Sequence, residues 1–350
     1  MGLFGWFTRF FAKDVGIDLG TANIVVYVRG RGIAFIEPSV VALRSGTREV
    51  VVIGSEAKRM LGKTPEAIRV VKPLRDGVIS DFDVTSAMIK HFIRLSQEGS
   101  FIKGSPRVVI CVPSGVTDVE RKAVVDVTLE AGAREAYLIE EPIAAAIGAG
   151  LMIHEPRGNM VVDIGGGTTE VAVMSLGGIV VNDSLRIAGD ELDAAVVDMM
   201  RQEFGLLIGE QTAEEIKMTL GNVQEEPEDR SMEVKGRDMV SGLPKVVRVR
   251  AAEVKEALLP LVDQMVDLVK GTLERTPPEL VRDIIDQGIM LTGGGAMLLG
   301  LDAYFSRELE VPVFVAEKPL LSVALGIGRV LEELDVLKKV LVDFEDKSYS

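Results

Sequence analysis

The sequence predicts an α/β protein of two duplicated lobes with a ligand cleft between them. Two observations carry this. Two glycine-rich acidic turns, Asp18-Leu19-Gly20-Thr21-Ala22-Asn23 and Asp163-Ile164-Gly165-Gly166-Gly167-Thr168, lie 145 positions apart, each between apolar stretches of strand character (residues 15–18 and 24–28; 160–163 and 171–174). A second glycine turn follows each at nearly equal distance from its Asp, Gly30-Arg31-Gly32-Ile33 in one half and Gly177-Gly178-Ile179 in the other. The repeat predicts a βββαβα unit used twice.

In the first half, residues 33–36 complete a strand meander. Residues 84–95 are helical by spacing, with Ala87, Met88, His91, Phe92 and Leu95 on one face. A strand at 108–112, a helix at 118–131, a strand at 136–139 and a helix at 143–151 follow. Two inserts decorate the frame. Residues 38–73 carry a strand at 50–53 and a helix at 55–61. Residues 191–250 carry helices at 192–204 and 212–220, an acidic loop at 224–230, and a hairpin pairing 232–234 with 245–249. The helix expected over 252–275 contains Pro260, which predicts a kink or break near residue 256. Lobe I is expected over 14–148 plus 328–345, and lobe II over 149–327.

The turns point to phosphate chemistry. Each joins strand to strand, unlike the strand-to-helix loops of Walker or Rossmann sites. Glycines let backbone N–H groups approach phosphate oxygens, and Thr21 and Thr168 add hydroxyl donors. A carboxylate beside phosphate is repelled unless a cation lies between, so Asp18 and Asp163 are candidate Mg²⁺ residues. The alternative is that each Asp only caps its own turn. Gly62-Lys63-Thr64 is not a Walker loop, because Ala57 stands where the first glycine belongs.

With these motifs in order, the chain resembles the actin superfamily, and within it the MreB family of bacterial actins. Asp18-Leu19-Gly20-Thr21 and Asp163-Ile164-Gly165-Gly166-Gly167-Thr168 resemble its two phosphate motifs, and Thr292-Gly293-Gly294-Gly295-Ala296 its adenosine motif. Glu140-Glu141-Pro142-Ile143-Ala144 is similar to its connecting helix. Pro38-Ser39-Val40-Val41-Ala42, Arg75-Asp76-Gly77-Val78-Ile79 and Thr276-Pro277-Pro278-Glu279-Leu280 favour the MreB branch. The resemblance spans about residues 14–335. It implies an actin-like fold of two ribonuclease-H-like lobes around a nucleotide cleft, with ATP and Mg²⁺ as cofactors and slow ATP hydrolysis coupled to polymerisation. It implies that Glu141, the acid before the proline, handles the attacking water, with Thr168 holding the same water. Asp18, Gly20, Thr21, Ala22, Asn23 and Gly165–Thr168 would contact phosphates. Glu214, Glu215, Ile216 and Lys217 would clasp the nucleoside side, with Gly293, Gly294, Gly295 and Ala296 at the adenosine; a surface ion pair is the plain alternative for Glu214 and Lys217, at i and i+3 of one helix face. The implied partners are further copies of the chain, the inner face of the cytoplasmic membrane and membrane proteins of the cell-wall elongation machinery, with a role in rod cell shape.

Composition sets limits. A net charge of −14 over 350 residues argues against a nucleic-acid partner and against simple adsorption to anionic lipid. One cysteine, Cys111, excludes an intramolecular disulfide, fits a reducing cytoplasm and, in an apolar run, reads as a buried core thiol. Two distant histidines, His91 and His154, give a zinc site or a Ser-His-Asp triad little material. Nothing at the start reads as a cleavable signal peptide.

Residues 1–13 differ in character. Leu3, Phe4, Trp6, Phe7, Phe10 and Phe11 fall within an arc of roughly 160° at helical spacing, which predicts an amphipathic helix lying in a membrane surface. A core-docking helix is the alternative. Phe101 and Ile102, in a polar loop, form a second apolar pair, and the resemblance implies a membrane-facing loop there. Two rival functions share the motifs. A chaperone ATPase needs a peptide-binding module, for which residues 332–350 leave no room. A small-molecule kinase needs an acceptor-site acid, and none beyond Glu141 stands out.

Overall fold

The computed structural model describes residues 12–75, 77–98, 104–224 and 229–333. These residues form two compact units. One holds the chain up to Pro156, Met174–Ile179 and the stretch from Leu321; the other holds Arg157–Val173 and Val180–Leu320.

The first unit is built on β1 (Val15–Leu19), β2 (Asn23–Val28) and β3 (Gly32–Pro38). The insert adds β4 (Val41–Arg44), β5 (Val50–Ile53) and β6 (Ile68–Val71), followed by the short β7 (Leu74–Arg75) and β8 (Val78–Ile79), then β9 (Arg107–Val112) and β10 (Glu135–Glu140). The main sheet runs β10-β9-β1-β2-β3. β1 pairs antiparallel with β2 and parallel with β9, and β9 pairs parallel with β10. Every residue of β1 is buried, as a central strand covered on both faces requires, hence its near-continuous apolar run. Asp14 anchors its start through a two-pronged bond from Arg107, Nε at 3.1 Å and Nη2 at 2.6 Å. The helix Phe82–Ser96 is capped by Asp81 and buries Val84, Met88, Ile89, Phe92 and Ile93. The helix Asp118–Glu130 starts with a reciprocal Thr117–Glu120 capping box.

The second unit repeats this frame. β11 (Asn159–Ile164), β12 (Thr169–Ser175) and β13 (Gly178–Leu185) join β17 (Ile289–Thr292) and β18 (Val313–Val315) in the order β13-β12-β11-β17-β18, with β11–β17 and β17–β18 parallel. That order matches the first sheet strand for strand, so the expected duplication is real. The second insert carries helices Gly189–Phe204 and Glu210–Leu220 and a sheet of β14 (Leu206–Leu207), β15 (Ser231–Asp238) and β16 (Pro244–Arg250). Met232 faces Val249 and Val234 faces Val247 across the hairpin.

Two features depart from the sequence reading. The first insert is a full three-stranded sheet, β5-β4-β6, because residues 41–44 and 68–71, given no strand by the sequence reading, pair with each other, and 41–44 also pair with β5. The helix Ala251–Arg275 is continuous through Pro260, so of the kink or break expected there the break does not occur. A proline in a helix interior costs about 3 kcal/mol. Val254, Leu258, Val262, Met265, Val266 and Val269 are buried along the same helix, each worth about 1.5–3 kcal/mol. Their packing outweighs the lost bond.

Candidate functional site

In the first unit, β1 ends in the turn carrying Gly20, Thr21 and Ala22. Asp18 is only 8% exposed. The turn is braced from outside: the Ser39 hydroxyl donates to the Gly20 carbonyl at 2.6 Å, and the Ser39 N–H to the Ala22 carbonyl at 3.0 Å. The Gly77 N–H donates to Thr21 Oγ1 at 3.0 Å, which leaves the Thr21 hydroxyl proton to serve as a donor. A Cβ on Gly20 would sit 2.7 Å from the Asn23 carbonyl oxygen, so no larger residue fits this turn without movement. Ala22 is exposed and Asn23 half-buried.

Cys111, near the end of β9, is buried as its apolar context suggests. Its Sγ also donates to Asp18 Oδ1 at 3.3 Å, which an apolar run does not announce. Burial first, then the nearby Asp18 and Glu141 carboxylates, push the thiol well above its ordinary range. Asp18 and Glu141 therefore both lie within electrostatic reach of Cys111. Glu141 opens the helix Glu141–Ala149, which has Pro142 in its first turn and ends at left-handed Gly150, φ 87°. Its neighbour Glu140 turns to Arg121, with Oε1 at 3.5 Å from Nη2; burial raises the Glu140 carboxyl and Arg121 opposes the rise. The helix Glu141–Ala149 crosses the helix Ser322–Glu332 with almost no space between backbones. A Cβ on Gly148 would overlap the Ser322 carbonyl and one on Gly326 the Ala144 carbonyl, while Arg329 donates to the Ile147 carbonyl.

In the second unit, β11 ends in the matching turn. Gly165 N–H donates to the Thr168 carbonyl at 2.9 Å. The N-terminus of the helix Gly189–Phe204 closes on the turn, Gly189 N–H to the Gly165 carbonyl at 3.2 Å and Asp190 N–H to the Gly166 carbonyl at 2.7 Å. Thr168 is half-buried and Gly167 buried. Asp163, 3% exposed, accepts a bond at 2.8 Å from the Thr292 hydroxyl, its neighbour across the β11–β17 ladder. Next comes Gly293, at φ 81°, where a Cβ would stand 2.8 Å from Asp163 Oδ1. Gly294–Met297 form a short 3₁₀ turn in which Ala296 is buried.

On the helix Glu210–Leu220, Lys217 Nζ donates to the Gly189 carbonyl at 2.8 Å and pairs with Asp193 Oδ1 at 2.9 Å. Burial raises the Asp193 carboxyl; Lys217 holds it back. The lysine thus ties its helix to the helix that closes on the second glycine turn. Ile216 lies fully in the unit's core, and Glu214 and Glu215 sit on its flanks. Glu170, another buried acid, follows the second turn and was not singled out by any motif.

Mg²⁺ fits these residues. Each turn has one almost fully buried carboxylate, a hard oxygen donor, beside a glycine cradle that a side chain would fill. Among the described residues no three His, Cys, Asp or Glu side chains gather as a metal site. An ion bound here would therefore rely on few protein ligands and keep waters, which is the habit of Mg²⁺.

Leu3, Phe4, Trp6, Phe7, Phe10, Phe11, Phe101 and Ile102 lie outside the described residues. Their flanks do not. Lys13 N–H donates to Gln97 Oε1 at 3.2 Å and Gln97 Nε2 to the Lys13 carbonyl at 3.0 Å. No helix among the described residues is long and apolar enough to cross a membrane.

Residues 12–339 match the model of the MreB/Mbl protein family. The chain is 51% identical to the cell shape-determining protein Mbl of Bacillus subtilis (strain 168), over 94% of this chain and 98% of that one. It is 49% identical to the cell shape-determining protein MreB of Escherichia coli (strain K12), over 94% and 96%. Among solved structures it is similar to MreB5 of Spiroplasma citri bound to ADP, with TM-score 0.88 and 39% identity over 94% of this chain and 98% of that one. The same protein bound to AMPPNP gives TM-score 0.89 at 38% identity, over 93% and 98%. With two matched actin-like sheets, a glycine turn and buried Asp in each, and these relatives along nearly its whole length, the chain belongs to the MreB/Mbl family.

Proposed function

We propose that this chain is a shape-determining bacterial actin that binds ATP with Mg²⁺, assembles into filaments with further copies of itself, and hydrolyses the ATP slowly. The observation that carries the reading is the repeated pair of a buried Asp and a glycine turn, in a family whose Spiroplasma citri member is solved with ADP and with AMPPNP. Backbone N–H groups of both turns and the Thr21 and Thr168 hydroxyls hold phosphate oxygens. Bound Mg²⁺ supplies charge neutralisation on those oxygens. Glu141 orients a water towards the γ-phosphorus and takes its proton as the new P–O bond forms and the bridging P–O bond breaks; Thr168 helps hold that water. The engagement of Glu140 by Arg121 supports giving this role to Glu141. Glu214, Glu215, Ile216 and Lys217, with Gly293–Ala296, form the nucleoside side.

The filaments lie on the inner face of the cytoplasmic membrane, through residues 1–13 and the Phe101–Ile102 pair, and organise the cell-wall elongation machinery. The mutual Lys13–Gln97 bonds support a common origin for both segments on one surface of their unit. A single copy would bind weakly against the −14 charge, and a filament would add avidity. Sedimentation with and without ATP–Mg²⁺ tests the reading, with liposomes as a second arm. Pelleting should require ATP–Mg²⁺, and removing residues 2–11 should abolish liposome binding while sparing assembly. Protein that stays in the supernatant under all nucleotide conditions would overturn the polymer reading. Truncated protein that pellets with liposomes as well as the full chain would overturn the membrane reading.

A further inference from the structure

The duplicated lobes brace their two buried carboxylates from the same topological place. In the second unit β11 and β17 run parallel, and the Thr292 hydroxyl donates to Asp163 Oδ1 at 2.8 Å. In the first unit β1 and β9 run parallel with Ile17 opposite Ile110; one residue further on, the Cys111 thiol donates to Asp18 Oδ1 at 3.3 Å. Both donors are buried, Thr292 completely and Cys111 at 5% exposure. The Leu19 main-chain N–H bonds the sulfur in turn, so the thiol is itself held. The same position in each lobe thus presents a proton to a carboxylate oxygen of the equivalent Asp.

We propose that Cys111 is a positioning residue for the Mg²⁺–nucleotide complex: its S–H bond holds the Asp18 carboxylate in place, as the Thr292 hydroxyl holds Asp163. This rests on reading Asp18 as a metal carboxylate. A thiol that merely fills the core would be replaceable by any apolar side chain of similar size. A thiol that holds Asp18 is replaceable only by another donor.

The test uses the full chain with a fluorescent ATP analogue. The Mg²⁺ concentration giving half-maximal enhancement of binding is measured for the native protein, Cys111→Val, Cys111→Ala, Cys111→Ser and Asp18→Asn, and analogue affinity is measured separately in EDTA. Cys111→Val and Cys111→Ala should raise the Mg²⁺ midpoint about fivefold, the scale of one weak hydrogen bond to a carboxylate. Their EDTA affinity should stay within about twofold, and Cys111→Ser should return the midpoint to within about twofold of native, since it restores a donor. Should the valine fail to fold, the alanine–serine pair carries the same comparison. A native midpoint in the donorless variants, or equal weakening in Cys111→Ala and Cys111→Ser, would overturn the proposal while leaving Asp18 in its role. An unchanged midpoint in Asp18→Asn would overturn the metal reading itself.

Discussion

Asp18 and Asp163 occupy equivalent places in two sheets of identical strand order, yet their surroundings have diverged. The turn after Asp18 is braced by the Ser39 side chain, at the start of the insert, and by the Gly77 main chain just beyond it. The turn after Asp163 is braced by a helix N-terminus at Gly189 and Asp190. The first unit adds Glu141, the acid assigned to water; the second adds the helix of Glu214 and Lys217 and the glycine run at 293–295. Duplication kept the strand-borne carboxylate and its buried proton donor. On the proposed reading, the loops after the strands do separate work, hydrolysis in one unit and nucleoside recognition in the other.

The sharpest way to break this division is at the acid. Glu141→Ala should leave ATP binding nearly intact and slow phosphate release at least about tenfold, or about 1.4 kcal/mol of transition-state stabilisation. Filaments should still form. Phosphate release at the native rate would remove hydrolysis from the first unit.

A smaller effect should separate the two turns. Gly20→Ala puts a Cβ 2.7 Å from a backbone oxygen, whereas at Gly165 the nearest atom, the Thr168 carbonyl oxygen, is 3.3 Å away. Gly20→Ala should therefore cost about 1–3 kcal/mol of stability, and Gly165→Ala less than about 1 kcal/mol. Thermal unfolding without nucleotide reads this directly. Equal losses would mean that the turns are braced alike.

Much of this was legible beforehand because strands and turns are local. The apolar runs around Asp18 and Asp163, the glycines after them and the near-equal spacing define both sheets' first hairpins. The hairpin over Met232 and Val249 also follows from alternation alone. The missed features depend on residues far apart in the chain. Nothing near Cys111 signals a bond to a residue 93 positions earlier. Ser39 was visible only as part of a family motif, and its bond to Gly20 is a tertiary fact. The close backbone approach at Gly148 and Gly326 is likewise a tertiary fact, set by the crossing of two helices far apart in the chain. At Pro260 the local rule allowed a break, and burial along the whole helix keeps it continuous.

The proposal that carries most is that Asp18 and Asp163 each serve Mg²⁺-dependent ATP binding. Its most direct test is the ratio of ATP affinity in Mg²⁺ to that in EDTA, measured by equilibrium titration for Asp18→Asn and Asp163→Asn. Each substitution should lower that ratio about tenfold, the scale of a lost interaction with a charged group, while affinity in EDTA holds or improves as a repulsive charge leaves the phosphates. A ratio unchanged in either variant would contradict the account.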